Sequence, residues 1–323
     1  MMTQILPLDP ARYAKHPIHG PDRIWTETNC YVDLWVELLH AWGFEPRAGL
    51  AFTLAIDFEG DQWTFFKFPL ADLYALYGLD VQELAIWRPI TLHIDEQIRR
   101  GHPVLVELDS FYLPDTVGTV YRREHTKSTV AINAIDIPSR HLDYFHNQGF
   151  YRLEGDDFTD VFRLAANDPA HLPPYVEFVK PNFERAPRGE SLAAKSLVSL
   201  RRQIDMLPAD NPFVPFKSRL EADLPWLANE SLETFHRYSF ATLRQFGSCY
   251  ELAATYLQWL GQAAKIDLDA AARALTNIAT EAKTLQFQLA RAMMRKKPLD
   301  LAGVDVMAGD WQTAMEGVRR IGR

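Results

Sequence analysis

The sequence predicts an α+β domain followed by a helical domain, with the change of character near residue 183. Three observations carry this reading. Tyr31, Leu34, Trp35, Leu38, Leu39 and Trp42 fall on one helical face. Residues 103–108 and 128–136 are short apolar runs rich in β-branched side chains, the mark of buried strands. Beyond a proline-bearing stretch at 167–187, every periodic segment has the density of Ala, Leu, Gln, Glu and Arg that favours helix. The chain therefore divides into a catalytic-type domain over 1–182 and a helical domain over 183–323.

In order, the first helix opens at Cys30 and stops at Gly43. Two aromatic-rich runs, 51–58 and 62–68, flank Glu59-Gly60-Asp61 and read as a hairpin. Pro69 begins a short helix that Gly78 ends, and 92–100 is a second helical stretch closed by Gly101. The strand at 103–108 runs into a polar and aromatic loop, Asp109-Ser110-Phe111-Tyr112-Leu113-Pro114-Asp115. Residues 117–122, 128–136 and 151–153 are further strand candidates, and Asp156-Asp157-Phe158 is a helix start. The prolines at 169, 173, 174, 181 and 187 mark a linker or an extended crossing segment. Helices follow at 191–206, 230–247, 250–259, 268–295 and 311–319.

Composition narrows the classes. With 323 residues, 47% hydrophobic and 12% aromatic, the chain can bury a substantial core. No apolar run approaches the roughly 18 to 20 residues of a membrane helix, and residues 1–21 lack a basic-then-apolar leader pattern. No membrane association is expected. Two cysteines, one in each half, do not make a disulfide framework, so a reducing, cytoplasmic location is expected. The formal charge of −8 and the lack of a long basic stretch argue against nucleic acid. Arg122-Arg123, Arg201-Arg202 and Arg295-Lys296-Lys297 read as solvated surface, with a landing patch for an acidic partner as the other reading. No Cys-x-x-Cys pair is present to suggest zinc, and no glycine-rich phosphate loop is present, so neither a metal nor a bound cofactor is expected.

The chemistry centres on Cys30, in Thr28-Asn29-Cys30-Tyr31-Val32-Asp33. Unpaired N–H groups and the helix dipole stabilise a thiolate at a helix start, and the thiolate is the nucleophile. His125, just before the apolar strand, is the expected base. Asp143, on what reads as the return strand, is the expected orienting acid, and Asp136 at the end of the histidine's own strand is the alternative. The Cys30 N–H is a natural oxyanion donor, with Asn29 the nearest side-chain donor. Asp109, Tyr112 and Asp115 are expected to line the substrate pocket. Cys249 lacks a following histidine–acid pair and reads as core.

Cysteine at a helix start, histidine at a strand start and a following acid resemble the order of papain-like cysteine enzymes. Those proteases carry a glutamine several residues before the cysteine. Here that region is Asp22-Arg23-Ile24-Trp25-Thr26-Glu27, without one. Gly101-His102-Pro103-Val104-Leu105-Val106-Glu107-Leu108-Asp109, Tyr112-Leu113-Pro114, His125, Asp136 and Asp143 resemble the N-terminal domain of the butirosin-biosynthesis acyltransferase. Over its whole length the chain looks like an uncharacterised bacterial family, through the Cys30 motif, Tyr112-Leu113-Pro114-Asp115-Thr116, Tyr144-Phe145-His146-Asn147 and Arg244-Gln245-Phe246-Gly247. Some members of that family are encoded beside amino acid:carrier-protein ligases. The resemblance implies a papain-like fold and acyl transfer from a phosphopantetheine thioester to an amine. It also implies an aminoacylated carrier protein as partner, together with its ligase. The same residues would serve a peptidase, amidase or thioesterase, or a non-catalytic carrier-binding protein.

Overall fold

The computed structural model describes residues 3–164, 172–295 and 298–322. The chain forms two compact units that interleave along the sequence. Unit 1 comprises Met1–Gly20, Asn29–Pro46 and Leu70–Ala186; unit 2 comprises Pro21–Thr28, Arg47–Pro69 and Pro187–Arg323. The break after Ala186 falls close to the expected boundary at 182/183. The two early excursions, at 21–28 and 47–69, were not expected.

Unit 1 contains β1 (Thr3–Gln4), α1 (Cys30–Ala41), α2 (Leu70–Tyr77), β2 (Leu79–Glu83), α3 (Ile90–Arg99) and β3 (Val104–Asp109). It continues with β4 (Lys127–Asp136), β5 (His141–His146), β6 (Gly149–Glu154), α4 (Asp156–Val161) and β7 (Val176–Pro181). The strands form one antiparallel sheet in the order β2-β7-β3-β4-β5-β6, with β1 also pairing β4. Helix α3 packs on β3 and β4, and α4 on β6. The core on this face includes Val104, Val106, Leu108, Val130, Ile132, Leu142 and Tyr144. Helix α1 crosses β4, β5 and β6, and Tyr31 at its start reaches Glu177 on β7. Glu177 is the register partner of Leu105, so the odd-numbered residues of β3 lie on the α1 face. With both faces covered, β4 is buried almost continuously, and its apolar residues Val130 to Ile135 are interrupted only by Asn133. Its one irregularity lies between Ile132 and Ala134, where Asn133 accepts from Leu6 N–H and donates to Leu6 C=O.

The expected strand at 117–122 is a run of turns, and the proline-bearing segment contains β7, a central strand. Residues 167–171 of that segment lie outside the described residues. Gly78 joins α2 to β2 at φ +68°, where a Cβ would stand 2.2 Å from Asn182 C=O. Gly78→Ala is therefore expected to destabilise unit 1 by at least about 2 kcal/mol, read as a lowered urea midpoint.

Unit 2 is helical: α5 (Gly189–Asp205), α6 (Phe213–Leu227), α7 (Leu232–Ser239), α8 (Gln245–Ala264), α9 (Asp269–Arg295) and α10 (Ala302–Gly322). A π-helical segment, Phe240–Arg244, links α7 to α8. Helix α9 packs against both α8 and α10, and α5 against α8 and α10. The expected hairpin at 51–58 and 62–68 shrinks to one bridge, Phe58 to Trp63, after a 3₁₀ run over Pro46–Leu54. The cause is burial on all sides. Residues 50–54 have no solvent face, and Trp63 packs among Phe213, Phe216, Phe246 and Tyr250. Gly247 on α8 leaves room for the Trp25 ring, which a Cβ would meet at 2.6 Å. Cys249 is buried, its S–H donating to Thr53 C=O at 3.4 Å, and burial pushes its thiol up, away from thiolate. Among the described residues no helix is long and apolar enough to cross a membrane. Lys296 and Lys297 of the third basic spot lie outside the described residues.

Candidate active site

Cys30 is the first residue of α1. Asn29 precedes it in extended backbone, φ −143° and ψ 155°, and its side-chain oxygen accepts from Val32 N–H at 2.9 Å. That cap fixes the helix start. It also commits the Asn29 side-chain oxygen to the helix. The first helical bond runs from Asp33 N–H to Asn29 C=O, and Cys30 N–H has no partner among the described residues. The half-buried thiol thus sits beside an open backbone donor. Next to it, Tyr31 Oη and Tyr175 Oη donate to the two oxygens of buried Glu177, each at 3.0 Å. Burial, then the Glu177 charge, holds the Tyr31 hydroxyl in its protonated form.

His125 stands two residues before β4 with its side chain 66% exposed. One ring face stacks on Phe111, centroid to centroid 4.3 Å, and Tyr112 meets it edge-on at 6.1 Å. Its Nδ1–H donates to Asp109 Oδ2 at 2.6 Å. The carboxylate selects the tautomer and leaves Nε2 as the accepting nitrogen. Asp109 is held in turn: its Oδ1 accepts from Phe111 N–H at 3.1 Å.

Asp143 does not fill this role. It pairs in register with Ala134, near the far end of β4, roughly 30 Å of strand from His125 at about 3.3 Å per residue. Its oxygens accept from Arg152 Nε and Nη2 at 2.8 and 3.1 Å, and His141 Nε2 lies 3.1 Å from it. Asp136 is excluded by the same distance: it closes β4 and accepts from Ser139 N–H in the following turn. The last residues of an antiparallel return strand, not the first, come back beside the start of its partner. The acid that meets His125 comes from the preceding strand, where Asp109 faces Lys127.

A cleft of about 520 Å³ opens beside this pair. Asp109, His125, Glu107 and Lys127 line one side; Ile90, Leu108, Val161 and Phe162 provide an apolar side; Leu172, Pro173 and Pro174 close it. Lys127 Nζ donates to Glu107 at 2.7 Å. Of Asp109, Tyr112 and Asp115, Asp109 lines this cleft and the other two do not. Cys30 is on the α1 face, as the odd-numbered residues of β3 are, but it does not line this cleft.

Tyr112 instead packs under Arg122, and Asp115 is turned into the sheet. Asp115 Oδ2 accepts from His146 Nδ1–H at 2.6 Å, its Oδ1 accepts from Tyr144 Oη at 2.5 Å, and His146 Nε2 accepts from Ser128 Oγ at 2.6 Å. These are the residue types of a serine-hydrolase relay, but both His146 and Ser128 are buried. The chain of bonds fastens the 110–126 loop, and with it His125, to β4 and β5. Burial and then Asp115 push the Tyr144 hydroxyl well up, so it stays a donor. A second tie joins Tyr121 Oη to Asp157 at 2.8 Å, with Arg122 on the same carboxylate. His146→Ala would strand Asp115 and Ser128 and is expected to cost about 3 kcal/mol of unit 1 stability, seen in its urea midpoint. The sequence contained a signal for this network in Tyr144-Phe145-His146, whose alternate polar residues face one side of a strand.

Fold and site together define a two-unit α+β protein with a histidine–aspartate pair on a cleft at one end of an antiparallel sheet. Residues 14–181 match the DUF1839 N-terminal domain and residues 189–320 the DUF1839 C-terminal domain, so the chain belongs to the DUF1839 family. No curated protein matches it.

Proposed function

We propose that the protein is a cysteine-dependent acyltransferase of papain-like design. It would move an aminoacyl group from a carrier-protein phosphopantetheine thioester, through a Cys30 thioester, to an amine. The observation that carries the proposal is the His125–Asp109 hydrogen bond, which leaves Nε2 ready to hold a proton. The open Cys30 N–H at a capped helix start supports it as thiolate stabiliser and oxyanion donor. In the first step the thiolate attacks the thioester carbonyl, the tetrahedral intermediate collapses, and the pantetheine thiol leaves with a proton from His125. In the second, the amine attacks the Cys30 thioester, His125 takes its proton, and the thiolate is released. Exchange of one thioester for another is nearly isoenergetic, so positioning and oxyanion stabilisation suffice. A free thiol suits a reducing cytoplasm; the resemblance to the butirosin enzyme suggests the carrier as partner, and the resemblance to the bacterial family encoded beside amino acid:carrier-protein ligases suggests the ligase.

A hydrolase is favoured by one feature: the exposed His125 side chain lets water reach Nε2. Intact-mass measurement with an aminoacylated carrier decides. An aminoacyl increment on wild type but not on Cys30→Ala supports the transferase. Cys30-dependent deacylation without an adduct supports the hydrolase. No Cys30-dependent change overturns both and leaves a carrier-binding protein.

A further inference from the structure

Glu177 is a buried carboxylate that the proposed chemistry does not use. It stands on β7 opposite Glu83 on β2 and Leu105 on β3. Both its oxygens accept from phenols, Tyr31 Oη and Tyr175 Oη, each at 3.0 Å, and no cation pairs with it among the described residues. Two phenol donors only partly offset the cost of taking a carboxylate out of water. Glu83, a like charge directly opposite, adds to that cost. An apolar side chain opposite Leu105 would fill the same place more cheaply, so stability is a poor reason for an acid here.

The two hydrogen bonds point to a role in placement. Tyr31 is the second residue of α1, next to Cys30. Its bond to Glu177 therefore ties to the sheet the turn of helix that carries both the thiol and the open N–H. The tie ends on the α1 face, in line with Leu105. Asp109 lies four residues further along β3, about 13 Å of strand away, with its carboxylate on His125. Between them Glu107 N–H donates to Tyr175 C=O at 3.0 Å, so β3 and the strand that bears Glu177 are bonded along the way. Candidate nucleophile and base are each fastened through a carboxylate to neighbouring strands: Cys30 by Tyr31 and Glu177 on β7, His125 by Asp109 on β3.

We propose that Glu177 is a positioning residue which, through Tyr31, sets where the Cys30 thiol stands relative to His125. This rests on the reading of Cys30 and His125 as nucleophile and base. A misplacement of about 1 Å can cost on the order of a hundredfold in rate, so loss of a single hydroxyl is enough to show. Tyr31→Phe removes the tie and keeps the ring that packs edge-on against Trp35.

The test is a double-mutant cycle read on the thiol, without a carrier protein. Alkylation of Cys30 by iodoacetamide is followed at neutral pH by peptide mapping, which separates it from buried Cys249. In the wild-type background His125→Ala is expected to slow alkylation roughly fivefold or more. On Tyr31→Phe, and likewise on Glu177→Leu, the same substitution should change the rate by less than about twofold. Asp143→Asn, which weakens unit 1 at the far end of β4, should keep the full His125 effect. A full His125 effect that survives Tyr31→Phe overturns the proposal and leaves the pairing of Cys30 with His125 standing. An equal loss on Asp143→Asn assigns the result to stability and overturns it too. No His125 effect in the wild-type background overturns the pairing itself, and the positioning role with it.

Discussion

Asp109→Asn is expected to slow formation of the aminoacyl adduct by roughly 10²- to 10⁴-fold, whereas Asp143→Asn should leave that rate within about twofold. The asymmetry follows from the two carboxylates' partners. Asp109 holds the His125 tautomer through a 2.6 Å bond, and an amide there can present its NH₂ to Nδ1 and reverse it. Asp143 is committed to Arg152 and His141 at the other end of β4. Its loss should appear as a lower urea midpoint and not as a chemical defect. Cys30→Ala should remove the adduct entirely, and His125→Ala should match or exceed Asp109→Asn. The effects should not add, because the three groups act on one proton. Rapid-quench mass measurement of the adduct gives the rates. Equal loss from Asp109→Asn and Asp143→Asn would show that the His125–Asp109 pair is not what sets the rate.

The sequence reading chose Cys30 and His125 on local signals, a helix start and the start of an apolar strand; the helix it read as buried on one side is buried on all sides from Tyr31 to Leu39. It missed the orienting acid because that choice depends on hairpin register. The tight turn after Asp136 places Asp143 beside Ala134, and only paired strands show that. Asp109 was in view as a pocket residue; its nearness to His125 requires that β3 and β4 be neighbours, a long-range fact. Besides the two-residue β1, two strands were missed, for different reasons. In β2, Leu79 and Val81 alternate with Asp80 and Gln82, a readable period of two that the brevity of the run concealed. In β7, flanking prolines outweighed Val176-Glu177-Phe178-Val179, although proline is tolerated at strand ends. The interleaving of the units had no local signature. Trp25 and Trp63 look like any buried tryptophans until Ala279 C=O and Phe246 are seen beside them.

The largest expected stability effect lies under α1, at a cluster with no local signature in the sequence. Asp33 and Glu37 project from the buried face of that helix, and His19 lies between them. Its Nε2 is 3.2 Å from Asp33 and its Nδ1 bonds Glu37. Glu37 also accepts from Tyr13 Oη at 2.6 Å and from His16 N–H at 3.1 Å. Burial alone would lower the His19 pKa. The hydrogen bonds and charges of Asp33 and Glu37 more than offset that and raise it from 6.5 to about 9. Glu37→Ala leaves the imidazolium half-paired and removes the carboxylate that accepts from Tyr13 Oη and His16 N–H, and is expected to cost about 3 to 5 kcal/mol. The pH dependence has a definite sign. The folded protein binds the His19 proton more tightly than the unfolded chain, so this stabilisation is complete below pH 6.5 and is lost as pH rises through about 9. From the pKa difference it amounts to about 3 kcal/mol. Hydrogen exchange of the α1 amides reports on unit 1 alone: wild type should open more readily at pH 9 than at pH 6.5, after correction for intrinsic exchange. His19→Gln should be less stable at pH 6.5 and should lose that pH dependence. A wild-type opening free energy that stays flat across this window would mean that His19 is neutral in the folded protein, and the buried carboxylates would then need another source of positive charge.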